Sequence, residues 1–194
     1  MKICFIAPAN SVHTKKWCNW FSQNGHDVYV ISLIKDYDIA AKVYFLDSGV
    51  EPTDSDIKKL GYLKTVFQLK NIIRKLRPDV VNVHYATSYG IIASLAGIDN
   101  FILSVWGSDV YDFPRHSIFH RFMLKFILHK AGGIYSTSKA MADECKQYTE
   151  KQFMITPFGV DVGLFSPKRR TRDDKEFIVG TVKTLSPKYG IVNI

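Results

Sequence analysis

A chain of 194 residues with 46% hydrophobic and 23% charged residues has the makeup of one globular domain, or of one domain and a piece of another, and disorder is excluded as its default state. Lys and Arg total 26 against 18 Asp and Glu, and the net charge of +8 calls for an anionic partner: nucleic acid, a membrane surface or a phosphorylated small molecule. The basic residues are spread over helices and linkers without a helix-turn-helix, zinc-finger or RNP-type pattern, so nucleic acid is not the expected partner. No run of about 18 apolar residues occurs, and the apolar start turns polar by Asn10, too early for a signal-peptide core; the expected location is the cytoplasm. Cys4, Cys18 and Cys145 are odd in number and far apart, which reads as three reduced thiols rather than a zinc site or a disulfide framework, with Cys4 in a buried strand.

In chain order, short apolar runs alternate with longer periodic segments, the pattern of βαβ units and a parallel sheet. Lys2 to Ala7 reads as a first strand. Asn10 or Ser11 can cap a helix through Trp17, Trp20 and Phe21, with Gly25 in the left-handed position that ends it. Val28 to Leu33 and Val43 to Leu46 are strands. From about Leu60 to Leu76 apolar residues recur at helical spacing, and Pro78 forces the end. Asp79 to His84 is a strand, Ser88 to Ala96 a small-residue helix closed by Gly97, and Phe101 to Val105 another strand. A helix runs from about Ser117 to Lys130. Ile134 to Thr137 is a strand, Ser138 caps the helix through Cys145, and Phe153 to Thr156 is the last strand. With right-handed crossovers these units form a Rossmann-like, doubly wound parallel α/β sheet.

Ligands of such sheets bind at the carboxyl ends of the strands, so the loops there hold the candidate residues. After the first strand, Asn10, Ser11 and His13 stand where a dinucleotide site would need G-x-G-x-x-G; a NAD or FAD enzyme is not expected, and a helix N-terminus with small polar side chains suits a sugar hydroxyl or a phosphate oxygen. The bland reading is that Asn10 and Ser11 only cap the helix. After the fourth strand come His84, Tyr85 and Thr87: His84 is a candidate proton carrier or a residue packed at the strand end, and Thr87 a ligand contact or a cap. In Trp106-Gly107-Ser108-Asp109, Gly107 permits close backbone approach, Trp106 offers a face for a sugar ring, and Ser108 and Asp109 offer hydrogen bonds; Asp109 is equally readable as a capping carboxylate. No cluster with metal-ligand spacing is evident.

The tail is the most specific stretch. Pro157-Phe158-Gly159-Val160-Asp161, then Phe165 and Pro167, leads through a charged linker to an apolar run, Phe177 to Val182. The expected organisation is a domain over 1–165, a linker over 166–176 and a truncated second α/β domain over 177–194.

Together these features resemble family 4 glycosyltransferases of the GT-B fold. The tail is similar to that family's P-x-G-V-D and F-x-P hinge, Asp79 to His84 to its strand ending in histidine, Gly25-His26-Asp27-Val28 to its G-H-E-V run, and Gly133 to Ser138 to the strand and cap before the hinge. The resemblance implies transfer of a sugar from a nucleotide-diphosphate sugar with retained configuration and without an obligatory metal or other cofactor, in polysaccharide, lipopolysaccharide or glycolipid synthesis. It implies that this half binds the acceptor, a glycan or a lipid-linked sugar, and that a donor domain or partner subunit completes the cleft. On that basis Asp109 and His84 are the expected catalytic residues, and Asn10, Ser11, His13, Tyr85, Thr87, Trp106, Gly107 and Ser108 the expected acceptor contacts. Lys183 and Lys188 take the place of the family's basic pair at the donor phosphates. The chain departs from the pattern where many relatives have a glycine-rich first loop and a histidine in place of Trp106. A non-catalytic glycan- or partner-binding module, or one subunit of a split enzyme, is the alternative. Arg115 to Lys130 combines apolar and basic residues as an interfacial helix does, so an anionic membrane surface is a possible partner; a core helix with a basic rim is the other reading.

Overall fold

The computed structural model describes residues 1–49, 62–166, 180 and 182. The chain divides into two units, Met1–Phe158 and Gly159–Ile194. The first contains strands β1 (Lys2–Ile6), β2 (Asp27–Ser32), β3 (Lys42–Phe45), β4 (Val80–His84), β5 (Ile102–Val105), β6 (Gly133–Ser136) and β7 (Phe153–Ile155). Helices α1 (Val12–Gln23), α2 (Tyr62–Leu76), α3 (Ser88–Leu95), α4 (Ser108–Tyr111), α5 (Ile118–Lys130) and α6 (Lys139–Cys145) connect them.

The strands form one seven-stranded sheet in the order β3-β2-β1-β4-β5-β6-β7, every pairing parallel. This is the expected Rossmann-like, doubly wound α/β sheet. Chain direction across the sheet reverses beside β1, whose neighbours are β2 and β4, and that crevice is where such sheets bind ligands.

Alternation along each strand splits the core in two. Cys4 and Ile6 of β1 face a large cluster filled by Leu69 of α2, Ile92 of α3, Leu124, Ile127 and Leu128 of α5 and Met141 of α6. Ile3 and Phe5 face a smaller one with Val28, Val30 and Cys18, covered by Trp17 and Phe21 of α1. Burying a side chain such as Leu124 contributes about 1.5–3 kcal/mol. All three cysteines are buried free thiols, and burial pushes each up to about 12.

Local signals explain most boundaries. Gly25 takes φ 77° after α1, its N–H donates to Ser22 O and that of His26 to Phe21 O, closing the helix as a Schellman motif. Ser117 and Ser138 cap α5 and α6 by accepting from the N–H of His120 and Met141. Ser11 and Thr87 occupy N-cap positions without a side-chain capping bond. Between β5 and α5 the chain is not the plain loop expected: Ser108 opens the short α4, and a 3-10 turn follows at Phe113–Arg115.

In the second unit, Asp161 Oδ1 accepts from the N–H groups of Gly163 and Leu164, and Phe165 N–H donates to Asp161 O, so the aspartate of the hinge pattern closes a turn. Apart from Gly180 and Val182, the strand expected near Phe177 to Val182 lies outside the described residues, as do Lys183 and Lys188.

Candidate functional site

The carboxyl ends of β1 to β5 surround a cavity of about 660 Å³. Pro8 after β1, Leu33 to Lys35 after β2, Phe45 and Asp47 at β3, Tyr85 and Thr87 to Tyr89 after β4 and Ser108 after β5 form its walls. Of the expected acceptor contacts, this brings together Tyr85, Thr87 and Ser108. A second cavity of about 230 Å³ lies on the α1 side of the sheet, between Phe5, Trp17, Asn82, Tyr135, Trp106 and Phe158. Asn10 and Ser11 line neither cavity; Asn10 is exposed and Ser11 half-buried at the start of α1.

Trp106 stands between the two regions. Its ring lies 4.6 Å from that of Tyr85, 4.7 Å from His84, and 5.4 Å, edge to face, from both His13 and Phe158. His13 stacks on Phe158 at 3.6 Å, and its Nδ1 has no partner among the described residues. Burial, and then the charge of Lys16, lowers the His13 pKa. The expected sugar platform at Trp106 is thus the hub of an aromatic cluster, with Trp106 and His13 both half-buried.

His84 lies beneath that cluster, 1% exposed, against Phe5 at 5.5 Å. Its Nδ1 and Thr14 Oγ1 share a 3.4 Å hydrogen bond whose donor follows the imidazole tautomer. Burial, with a smaller contribution from His13, lowers its pKa to about 3, so the ring is neutral at physiological pH.

Asp109 is buried and fully engaged. Oδ1 accepts from the N–H groups of Gly107 at 2.8 Å and Trp106 at 3.1 Å, and Oδ2 from Ala86 N–H at 2.9 Å. Burial raises its pKa; the amide bonds pull the other way and are outweighed. The carboxylate therefore clips the β4 exit to the β5 exit instead of capping α4, whose N-cap is Gly107. Gly107 has φ 136° and ψ −76°, a region closed to residues with a Cβ, which lets two successive amides turn inward to one carboxylate. Tyr85 has φ 68°, and burial, then the charge of Asp109, raises its phenol pKa.

Ser32 and Tyr89 complete the arrangement and were not among the expected site residues. Ser32 Oγ accepts from Ala9 N–H at 3.1 Å and Ile34 N–H at 2.9 Å; Tyr89 Oη accepts from Leu33 N–H at 3.3 Å and lies 3.4 Å from Ser32 Oγ. A serine at the end of the apolar run Val28 to Ile31 is the signal that could have found it. Lys35 Nζ, 4.7 Å from the Phe45 ring centroid, and Asp47 add charges of both signs. Hydrogen bonding from Gly49 N–H, then Lys64, lowers the Asp47 pKa. Among the described residues no group of three His, Cys, Asp or Glu side chains is placed to hold a metal ion, and no helix is long and apolar enough to cross a membrane.

Comparison with known proteins agrees with this fold. The family model described as "Glycosyl transferase 4-like" matches residues 2–138. A search of curated sequences finds no match. Among solved structures, sucrose-phosphate synthase from Thermosynechococcus elongatus superposes with a TM-score of 0.68 at 14% identity, over 87% of this chain and 50% of that one. MurG from Acinetobacter baumannii gives 0.52 at 16%, over 88% and 46%. UDP-GlcNAc 2-epimerase from Neisseria meningitidis, bound to UDP-GlcNAc, gives 0.54 at 14%, over 80% and 46%. The chain thus spans about half the length of these structures, and the likeness establishes the fold, a Rossmann-like half of the GT-B architecture. With its family model matched over more than half of its length, the chain belongs to the glycosyl transferase 4-like family.

Proposed function

We propose that the chain supplies the acceptor-binding half of a retaining glycosyltransferase that uses a nucleotide-diphosphate sugar and works in the cytoplasm, in polysaccharide, lipopolysaccharide or glycolipid synthesis. The observation that carries the reading is the 660 Å³ cavity at the point where the strand order reverses. Its walls alternate the hydroxyls of Thr87, Ser88 and Ser108 with the rings of Tyr85, Tyr89 and Phe45, a lining suited to the hydroxyls and apolar faces of a sugar. UDP-GlcNAc in the neighbouring epimerase supports a nucleotide sugar as the donor class.

In the reaction the bond from the anomeric carbon to the diphosphate breaks with its electron pair leaving on phosphate. The acceptor oxygen bonds to that carbon on the same face, and the acceptor proton passes to the departing phosphate. Such a path asks this half for orientation rather than for a base. That agrees with a neutral, buried His84 and with an Asp109 already committed to three amides. Both are positioning residues in this reading: His84 supports Trp106 from below, and Asp109 sets Tyr85 and Ser108 on one wall. Lys183 and Lys188, outside the described residues, remain the proposed contacts of the diphosphate.

Calorimetry of the 194-residue chain against a panel of oligosaccharides and against UDP- and GDP-sugars tests this. Binding of an oligosaccharide, weakened by Tyr85→Ala and by Ser108→Ala, is expected. Tight nucleotide-sugar binding with no glycan binding would sink the assignment of this half to the acceptor.

A further inference from the structure

We propose that the outward face of α5 is a docking surface for an anionic phospholipid bilayer. The helix has two faces. Leu124, Ile127 and Leu128 are buried in the large core. Ile118, Phe119, Phe122 and Phe126 point away from it and are 65%, 64%, 63% and 41% exposed. At about 100° per residue these four share one side of the helix. Exposed Arg121 and Lys125 flank them on one edge and exposed Lys130 on the other. Lys130 Nζ lies 5.8 Å from the centroid of the Phe126 ring, so its stem runs along the apolar strip while its head stays at the rim.

Charge selects the occupant. No Asp or Glu occurs between Asp112 and Asp143, so the apolar strip lies in a stretch whose only formal charges are positive. Glu144, just beyond it, is paired with Arg115 at 3.2 Å. Exposed rings beside one another call for an apolar layer, and a cationic rim without carboxylates calls for a dense anionic one. A bilayer surface offers both at the spacing of a single helix radius: acyl chains beneath and phosphates level with the rim. A cavity of about 140 Å³ beside the strip is lined by Arg121 and Lys125 together with Ile118, Phe122, Gln147 and Tyr148, so both cations of that edge border one recess. Because α5 follows the β5 exit and runs back to β6, its Ile118 end lies toward the sheet edge that carries the larger cavity. The inference rests on this surface and stands apart from the proposed reaction.

The test sediments the full chain with vesicles of phosphatidylcholine alone or containing about one third phosphatidylglycerol. Expected are binding to the anionic vesicles only, weakening with salt, and a loss of at least about tenfold in Phe119→Ser/Phe122→Ser and in Arg121→Glu/Lys125→Glu. These side chains are exposed, so the variants keep the fold, as a circular-dichroism melt checks. Lys70→Glu/Arg74→Glu, an equal charge change at exposed positions of α2, is expected to bind like the wild type. A Phe122→Trp variant should gain blue-shifted emission on anionic vesicles. The proposal is overturned by equal binding to neutral vesicles, by unchanged binding of the α5 variants, or by an equal loss in the α2 control, which would reduce the effect to net charge. It is also overturned by a concentration-dependent dimer that Phe119→Ser/Phe122→Ser dissociates, which would place a second copy on this face.

Discussion

Acidification should destabilise this protein through His84, and the size of the effect follows from its burial. In the unfolded chain an imidazole takes up a proton near pH 6.5, whereas in the folded protein it does so only near 3. Between these values the unfolded state binds more protons, so stability falls as pH falls through 6.5 and continues to fall until about 3. Each pH unit is worth about 1.4 kcal/mol, so at pH 5 the loss is about 2 kcal/mol, a large part of the roughly 5–15 kcal/mol that holds a domain together. His13, also lowered, acts in the same direction. The comparison is therefore made with His84→Leu, which removes the titrating group at this one position and gives up the bond to Thr14 and the ring contacts with Phe5 and Trp106, losses that do not depend on pH. Urea unfolding at pH 7, 6 and 5 measures both proteins. Expected are a wild-type stability that drops over this range and a shallower drop for the variant, the two curves converging as pH falls. Parallel curves would refute the reasoning, as would an NMR titration of the folded protein showing His84 protonated near 6.

Three further outcomes follow from the loop geometry. Asp109→Ala strands three amides and should cost about 3–5 kcal/mol by urea unfolding, with Asp109→Asn losing less because one oxygen still accepts; an alanine variant within about 1 kcal/mol of wild type would show that the clip contributes little. Gly107→Ala places a Cβ at φ 136° and should cost about 1–3 kcal/mol with Asp109 intact, measured by thermal melting; an unchanged melting temperature would mean that the turn relaxes freely. Tyr89→Phe removes the acceptor of Leu33 N–H and the contact with Ser32, for an expected loss of about 1 kcal/mol and faster amide exchange at Leu33; unchanged exchange there would contradict the assignment.

The alternation of strands and helices was legible because it depends on neighbours in the chain. The β-branched and aromatic run at Val28 to Ile31, the left-handed Gly25 and the capping Ser138 all act within a few residues. The cavity was legible only in part. Tyr85, Thr87 and Ser108 follow strands and could be placed by position, but the walls formed by Leu33 to Lys35, Phe45 and Asp47 depend on β2 and β3 lying beside β1, a pairing order that periodicity does not carry. Ser32 and Tyr89 meet across 57 positions of sequence, and although Ser32 ends an apolar run, nothing local announces their pairing. His84 and Asp109 looked like reactive groups because residue type and strand-end position said so. Their burial is decided by what packs over them, Trp106 for one and the amides of two loops for the other.

The Asp109 clip also makes two walls of the cavity one mechanical part. A ligand that draws Ser108 inward must carry the Ala86 turn, and with it Tyr85, because the same carboxylate holds both backbones. Size and selectivity on that side can then change only as a block. The segment after β2 is tied to α3 through Leu33 N–H and Tyr89 Oη, but the Asp109 carboxylate reaches neither Lys35 nor Asp47. A widened or narrowed range of accepted ligands should therefore trace to substitutions around those two residues, while changes at the clipped turns register first as lost stability.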